Sequence, residues 1–286
     1  MRDIRELRED PIAYAAELQR RWGGLLSYRY IGRKYSSMDL GEVDNTVVLR
    51  RDMRNAAGGM LVAPLSISAP EGAVGSDRET VPNPVIHSCQ ILDPGHGVRR
   101  IEVIDSESLH LGRRMGYSRS KIVDADQPDR VIAFTEGQGV KIGEVPEILE
   151  KMPPNPLEIV DGPDLPPLWQ VFGGGRRADG HWALPELAAE LASPDAALHI
   201  GPQHVVLEAA GMDLASEVAG TDLLQMQTWH VMFMARGKVG PFRVDGEAVR
   251  GAEPKVGVRL RLHDEGDGGR LVTCASAVFE VVDATS

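Results

Sequence analysis

Cysteine is scarce in this sequence, whose 286 residues contain only Cys89 and Cys274. Two cysteines cannot build a disulfide framework, and both lie in apolar runs typical of strands. We therefore expect buried free thiols and a reducing compartment. Aromatic residues are also few, at 5% of the chain. That content gives no indication of ring stacking in a binding site, and it does not exclude an aromatic ligand.

The chain also lacks an excess of positive charge and a long apolar run. Its formal net charge is −11, which disfavours nucleic acids and anionic membranes as partners because both require a basic surface. No run approaches the roughly 20 apolar residues that a membrane span needs. The stretch MRDIRELREDPIAYAAELQRRWG is charged throughout and has no apolar segment of a cleavable signal. We expect a cytoplasmic protein that binds neither nucleic acid nor membrane.

The composition is otherwise that of an ordinary soluble globular protein, with 42% apolar and 26% charged residues. The length allows one large domain or two fused smaller ones. The stretch GEVPEILEKMPPNPLEIVDGPDLPPL is rich in proline, which excludes a continuous helix or a central strand and indicates a semi-extended linker. We therefore predict two units, residues 1–142 (with an N-terminal helix) and 169–286, joined by the linker 143–168.

The two units share a pattern that indicates an internal duplication. When residues 88–142 are set above residues 228–282, a shift of 140 positions, a strand, an acidic turn and a second strand coincide. Asp124 then aligns with Asp264. Upstream, AAGGMLVAPLSIS aligns with HIGPQHVVLEAAG at a shift of 142 positions. We predict two copies of one structural unit.

Each copy has a glycine-containing loop, an apolar helix and then several long strands. In the second copy the predicted strands are LLQMQTWHVMFMA, PFRVDGEAVRG, KVGVRLRLHDE and RLVTCASAVFEVV. One helix followed by an antiparallel meander predicts an α+β layer, in which the helix buries its apolar face on a curved sheet. Before the first copy, residues 3–22 are predicted to be helical with an interruption at Pro11, whereas LLSYRYIG and NTVVLRRDM are predicted to be β-rich.

The helix of the second copy carries a carboxylate, Glu208, among apolar residues in LHIGPQHVVLEAAGMDLA. A surface helix would place this charge opposite its apolar stripe, with polar neighbours. Two interpretations follow. Glu208 is either a solvated residue at the edge of the helix or a carboxylate held in an apolar site.

The order of elements resembles the hotdog fold, in which an antiparallel sheet wraps around a long helix. The duplication resembles the tandem, or double, hotdog proteins, many of which are acyl-CoA or acyl-carrier thioesterases. The motif of this family is a His-Gly-Gly turn that opens the helix, with Asp or Glu seven residues after the second glycine. The second copy, with Ile200 for the first glycine, supplies His199, Gly201 and Glu208. The first copy supplies Gly58 and Gly59 but has Ser66 at the acidic position.

The resemblance implies one composite active site between the two copies. Backbone N–H groups at Gly58 and Gly59 would stabilise a thioester oxyanion, and glycine would let the carbonyl approach closely. Glu208 would activate water or attack the carbonyl, with a pKa raised by burial. Asn55 would belong to the same site. The mirror site, with Ser66, would lack its carboxylate and is expected to be structural.

Polar residues near the motif are candidates for substrate contacts. These are Asn55, His199, Gly201, His204, Gln227 and Thr228. His204 lies four residues before Glu208 on the same helix face and could orient the carboxylate. No metal is expected, because no third ligand has suitable spacing. His199 could bond to the backbone or touch substrate. In the related fold a polar residue on the next strand supports the catalytic water, although alternating polar residues usually form a solvated face.

We therefore expect an α+β double hotdog, each half an antiparallel sheet wrapped around a central helix, that hydrolyses an acyl thioester. Coenzyme A or the phosphopantetheine of an acyl-carrier protein would be part of the substrate, with no separate cofactor. Two alternatives stay open. One is a lyase-type enzyme that hydrates, dehydrates or adds a nucleophile to an enoyl or hydroxyacyl thioester, and the other is a non-catalytic acyl binder. The fused pair is compatible with further association into a homo-oligomer.

Overall fold

The computed structural model describes residues 4–33, 45–70, 80–144 and 155–283. Its helices are α1 (Pro11–Gly23), α2 (Leu26–Ile31), α3 (Val62–Ser68), α4 (Leu168–Val171) and α5 (Ile200–Ala219). Its strands are β1 (Thr46–Val48), β2 (Thr80–Ile91), β3 (Arg100–Leu111), β4 (Met115–Asp124), β5 (Gln127–Glu144), β6 (Gly175–Arg176), β7 (Trp182–Leu184), β8 (Ala192–Ser193), β9 (Ala197–Leu198), β10 (Leu224–Phe233), β11 (Phe242–Arg250), β12 (Lys255–Asp264) and β13 (Arg270–Val281). Short 3-10 turns lie at Ile4–Leu7, Arg51–Met53, Ala189–Leu191 and Glu265–Asp267.

Over the described residues, eleven strands form one antiparallel sheet in the order β1-β3-β4-β5-β2-β10-β13-β12-β11-β7-β6. Each repeat contributes a helix and the four strands that follow it, α3 with β2 to β5 and α5 with β10 to β13. The two sets meet where β2 pairs with β10, and their strand orders are mirrored about that line. The four strands predicted for the second copy are confirmed as β10 to β13.

The pairing of β2 with β10 is symmetric about one point. The partners are Cys89 with Trp229, Gln90 with Thr228, and Ser88 with His230. Cys89 and Trp229 are 140 residues apart in the sequence. A shift of 140 residues also maps Gln90 onto His230 and Ser88 onto Thr228, so it converts each of the other two pairs into the other. Strands β4 and β12 are also related by this shift at both ends. The shift that relates the two copies in the sequence is therefore the one that relates them in the sheet.

Helix α5 packs across β11, β12 and β13 and contacts α3 from the first repeat. It begins after the cap His199 and ends at Gly220, which adopts the left-handed conformation with φ +75°. Buried apolar side chains of both repeats form one continuous core around it. Among the described helices, none is long and apolar enough to cross a membrane.

The segment before β1 is helical where a strand was predicted. LLSYRYIG forms α2, because the residues it buries are Ser27, Tyr30 and Ile31, spaced three and four apart as on one face of a helix. Gly32, with φ +86°, ends it. The interruption predicted at Pro11 is found, since Pro11 is the first residue of α1 and follows the cap Asp10.

The described part of the linker packs against the first repeat. Strand β5 runs to Glu144 and so extends two residues into the segment predicted as linker. Residues 155–167 have no regular secondary structure. Leu157 N donates to Arg29 O at 2.8 Å, and Asp161 Oδ1 accepts from Arg51 N at 2.8 Å. These bonds hold the linker beside the residues that precede α3.

Candidate active site

Glu208 lies on α5 at the junction of the two repeats, with 3% of its surface exposed. Its carboxylate accepts two hydrogen bonds from backbone N–H groups at the start of α3. Val62 N donates to Oε1 at 2.6 Å and Ala63 N donates to Oε2 at 2.8 Å. The structure therefore holds this carboxylate in a buried site between the repeats, and the interpretation as a solvated edge residue is wrong.

The first turn of α3 explains why two donors remain for this carboxylate. Leu61 N, at the cap position, donates to a backbone carbonyl at 2.9 Å, and Pro64 has no N–H. Val62 and Ala63 carry the other N–H groups of the turn, and the cap side chain bonds to neither of them. A helix N-terminus favours negative charge. Glu208 thus caps α3 from the opposite repeat.

The surroundings of Glu208 raise the pKa of its carboxyl group towards neutral pH. Burial raises the pKa of Glu208 to about 7, while the hydrogen bonds from Val62 and Ala63 lower it. Desolvation is the larger effect, and among the residues that the structure describes no cation pairs with the carboxylate. A carboxyl with a pKa near 7 can take up and release a proton under neutral conditions, as a general base must.

A cavity of about 450 Å³ opens beside Glu208. On α5 it is lined by Val205, Glu208, Ala209, Met212, Asp213 and Ser216. These positions are spaced three and four apart and so share one face of the helix. The first repeat contributes Arg51, Arg54, Asn55 and Leu61 among its walls, and the linker region contributes Leu165, Leu168 and Trp169. The cavity is therefore assembled from both repeats and the linker.

Asn55 lines the cavity and also closes a tight turn with the glycine pair. Gly58 N donates to Asn55 O at 3.0 Å, and Gly59 N donates to Asn55 Oδ1 at 2.9 Å. Gly58 has φ +82°, a conformation that favours glycine. The predicted motif has the glycines open the helix, but α3 begins at Val62 because residues 55–59 form this separate turn. Both glycine N–H groups are engaged with Asn55 and are not free for an oxyanion.

Two further polar residues support the turn and were missed by the sequence analysis. Asn55 Nδ2 lies 3.4 Å from Gln225 Oε1, and Gln225 Nε2 lies 3.2 Å from His96 Nε2. A Cβ at Gly59 would overlap the Gln225 side chain, which explains the glycine there. Gln225 is one of several polar residues in β10 and His96 lies in a turn, so neither has a motif that could have revealed it.

His199 and Gly201 form the start of α5. His199 Nδ1 accepts a hydrogen bond from Gly201 N at 3.3 Å and lies 3.0 Å from Ser27 Oγ. Burial is the main cause that lowers the pKa of His199 to about 3. A Cβ at Gly201 would overlap Ser27. Of the two predicted roles for His199, the structure provides the backbone bond, and neither residue lines the cavity beside Glu208.

His204 is fully buried and does not hydrogen-bond to Glu208. Its Nδ1 accepts from Trp229 Nε1 at 3.0 Å, and its ring lies edge-to-face against His87 and Phe233. Burial lowers the pKa of His204 well below its usual value. Although His204 and Glu208 lie four residues apart on α5, the predicted contact by which His204 would orient the carboxylate is therefore not formed. Among the described residues, no three His, Cys, Asp or Glu side chains converge to hold a metal ion.

Thr228 and Gln227 lie outside the cavity beside Glu208. Strand β10 has a bulge between Met226 and Thr228, which leaves Gln227 without a partner on β13. Thr228 is exposed, and the residue after it, Trp229, is buried. The bulge changes which residues face inward, so the simple alternation assumed from the sequence does not hold here.

Ser66, the first-repeat position equivalent to Glu208, has different surroundings. Its hydroxyl lies 2.9 Å from His87 Nε2, and both residues are buried. Burial is the main cause that lowers the pKa of His87 to about 3. A neutral buried pair therefore replaces the carboxylate on this side.

The helix start at the mirror position also differs. At the shift of 142 positions, Val62 and Ala63 correspond to His204 and Val205. These are the fifth and sixth residues of α5, so their N–H groups donate within the helix. Helix α5 begins about one turn earlier in the repeat than α3 does. Among the described residues, the mirror position thus has neither a carboxylate nor free backbone donors.

Comparison with known proteins shows what the fold is. A TesB protein from Mycobacterium avium subspecies paratuberculosis superimposes with a TM-score of 0.57 at 14% identity, over 86% of this chain and 97% of that one. The acyl-CoA thioesterase II TesB2 from Mycobacterium marinum gives 0.55 at 15% identity, over 86% and 96%. The chain has a double-hotdog fold.

A third match is more distant. The 12:0-ACP thioesterase from Umbellularia californica gives a TM-score of 0.50 at 11% identity, over 82% of this chain and 92% of that one. No protein-family model and no curated protein sequence matches the chain. The likeness is therefore one of fold. In this chain, Glu208 lies where α5 meets the start of α3.

Proposed function

We propose that this protein hydrolyses an acyl thioester of coenzyme A or of an acyl-carrier protein. The observation that carries the proposal is the buried Glu208 carboxylate, bonded to the start of α3 and open to a cavity of about 450 Å³. Three solved structures that resemble this chain in fold are a TesB protein, an acyl-CoA thioesterase and an acyl-ACP thioesterase. Their names support the same reaction class here.

In this proposal Glu208 is the general base. The ionised carboxylate removes a proton from water, and the hydroxide oxygen forms a bond to the thioester carbonyl carbon. The tetrahedral intermediate then breaks its C–S bond. Glu208 gives the proton that it took from water to the departing thiolate, so the products are a carboxylic acid and a thiol. A pKa of about 7 suits both proton transfers.

Backbone N–H groups at the start of α3 serve as the oxyanion donors in this scheme. Val62 and Ala63 take this role in place of Gly58 and Gly59, whose N–H groups are bonded to Asn55. The thioester carbonyl oxygen displaces one carboxylate oxygen from its N–H group. The negative charge that develops on the carbonyl oxygen then lies at a helix N-terminus, where it is stabilised.

The experiment that tests the proposal measures thiol release from short, long, aromatic and enoyl acyl-CoAs. Wild type is compared with Glu208→Gln and with a matched control, Glu217→Gln, which changes an exposed glutamate on the same helix. Removing a general base lowers kcat by roughly 10²- to 10⁴-fold. We expect that loss for Glu208→Gln, retained binding of a non-hydrolysable analogue, and wild-type rates for Glu217→Gln.

The same experiment separates the other two classes. If the product is still a thioester but has altered unsaturation or carries an added nucleophile, the reaction is of the lyase type and not hydrolysis. Binding without any product would identify an acyl binder. Equal thiol release by wild type and Glu208→Gln would overturn the role of Glu208 as base.

A further inference from the structure

The cavity continues along α5 well beyond Glu208. Asp213 and Ser216 both line it. They lie five and eight residues after Glu208, or about 8 and 12 Å along the helix axis at 1.5 Å per residue. The cavity is therefore longer than a carbonyl and a water molecule require. Its far part can hold a substituent attached to the reacting carbon.

Two tryptophans form the wall of this far part. Trp169, from α4, and Trp182, from β7, both line the cavity. Their ring centroids lie 5.2 Å apart with an interplanar angle of 84°, an edge-to-face arrangement. Trp182 Nε1 donates to Asp213 Oδ2 at 2.9 Å, and Arg176 lies 3.3 Å from the same oxygen. The Trp182 ring is thus fixed beside Asp213, about one and a half turns from Glu208.

These rings differ from the other two tryptophans of the chain. Trp22 and Trp229 are buried, with 7% and 1% of their surface exposed. They fill the cores of the N-terminal segment and the sheet. Trp169 and Trp182 pack against the edge of the main core, but they are only partly buried and also border the cavity. Two of the four tryptophans therefore lie in one cavity wall.

Two cationic side chains from the first repeat, Arg51 and Arg54, also line the cavity. Arg54 donates to the carbonyls of Gly58 and Gly95 at 3.2 Å each, which places its guanidinium at the turn formed by residues 55–59. Arg51 belongs to the same segment and is exposed. The cavity thus combines cationic side chains of the first repeat with Glu208 and with two aromatic rings farther along α5. The phosphate-bearing arm of a thioester suits the cationic residues, and the acyl group suits the aromatic rings.

We propose that Trp169 and Trp182 determine acyl specificity and that the cavity favours thioesters whose acyl group carries an aromatic ring. The inference rests on the proposed thioester hydrolysis. An acyl group with a spacer of about two carbons between carbonyl and ring is comparable in length to the roughly 8 Å along α5 from Glu208 to Asp213, which holds the Trp182 ring. An aromatic ring that packs against another aromatic ring is stabilised beyond the effect of its buried area. The additional stabilisation is equivalent to an increase of about two- to tenfold in kcat/KM.

The test uses three acyl groups with the same number of carbons. These are 3-phenylpropanoyl-, 3-cyclohexylpropanoyl- and nonanoyl-CoA, so that the first two differ only in ring aromaticity. Wild type, Trp182→Leu, Trp169→Leu and the ring-retaining Trp182→Phe are compared. For each we measure kcat/KM by thiol release. We also measure the Kd of thioether analogues in which CH2 replaces the carbonyl, which needs no hydrolysis.

We expect wild type to prefer the phenyl compound over the cyclohexyl compound by about two- to tenfold in both kcat/KM and Kd. The preference should be lost in the two leucine variants and kept in Trp182→Phe. Hydrolysis at equal kcat/KM for the phenyl and cyclohexyl compounds would overturn the inference while leaving the proposed function in place. Tighter binding of the phenyl thioether without any thiol release would support the aromatic pocket and overturn hydrolysis.

Discussion

Replacing Glu208 by Gln should change how the stability of the protein depends on pH. Burial raises the pKa of Glu208 in the folded state to about 7, against 4.5 for an unperturbed glutamate. The folded protein thus binds this proton more tightly than the unfolded chain. The contribution to stability is complete below pH 4.5 and is lost as the pH rises through 7. Glutamine has no charge to lose, so the variant lacks this dependence.

The magnitude follows from the shift. One pKa unit corresponds to 1.36 kcal/mol, so the shift is equivalent to about 3 kcal/mol, of which about 2 to 3 kcal/mol falls between pH 5 and pH 8. The buried histidines His87 and His199, with pKa values lowered to about 3, act in the opposite direction. They are present in both proteins. The difference between wild type and Glu208→Gln therefore isolates the carboxylate.

Urea unfolding of both proteins at pH 5, 6, 7 and 8 measures this difference. We expect the unfolding free energy of wild type, relative to the variant, to fall by about 2 to 3 kcal/mol across the series. Glu208→Gln should gain most in relative stability at pH 8, where the wild-type carboxylate is ionised and buried. A difference that stays constant with pH would show that Glu208 does not titrate in this range and would remove the basis for its role as a base near neutral pH.

Two further predictions concern elements that support the site and the fold. Gly58→Ala places a Cβ on a residue with φ +82° and should cost about 1 to 2 kcal/mol in urea unfolding, whereas Gly162→Ala, at an open position without that conformation, should be nearly neutral. Equal effects would contradict the strain argument. Asp264→Asn should cost about 1 to 3 kcal/mol, because the buried carboxylate accepts N–H bonds from Lys238, Val239 and Gly240 and an amide presents a donor to one of them. An unchanged urea midpoint would contradict that account.

The sequence was sufficient for the architecture because the architecture depends on repeating patterns. The strands of the second copy alternate or run apolar over whole segments, and the shift of 140 positions that aligns them also sets the register of β2 on β10. Glu208 could be singled out because a charge among apolar helix residues is unusual. It is buried, and it accepts hydrogen bonds from Val62 and Ala63 of the first repeat.

The details of the site could not be predicted, because they depend on contacts between residues far apart in the chain. The bonds from Val62 and Ala63 require knowing where α3 begins, and that start is set by the turn that Asn55 closes. One bulge in β10 was enough to expose Thr228 and break the assumed alternation. The α2 segment has residues common in strands, yet its burial at spacings of three and four makes it a helix.

The different starting points of α3 and α5 have a consequence for how such a site can evolve. In a dimer of identical chains, both helices begin at the same residue, so two equal half-sites change together. Fusion of the two copies removes that constraint. In this chain α5 starts one turn earlier in the repeat than α3 and uses internally the N–H groups that α3 leaves to Glu208. A difference of one turn in where a helix starts thus removes the free backbone donors from one of the two equivalent positions, where Ser66 bonds to His87 instead.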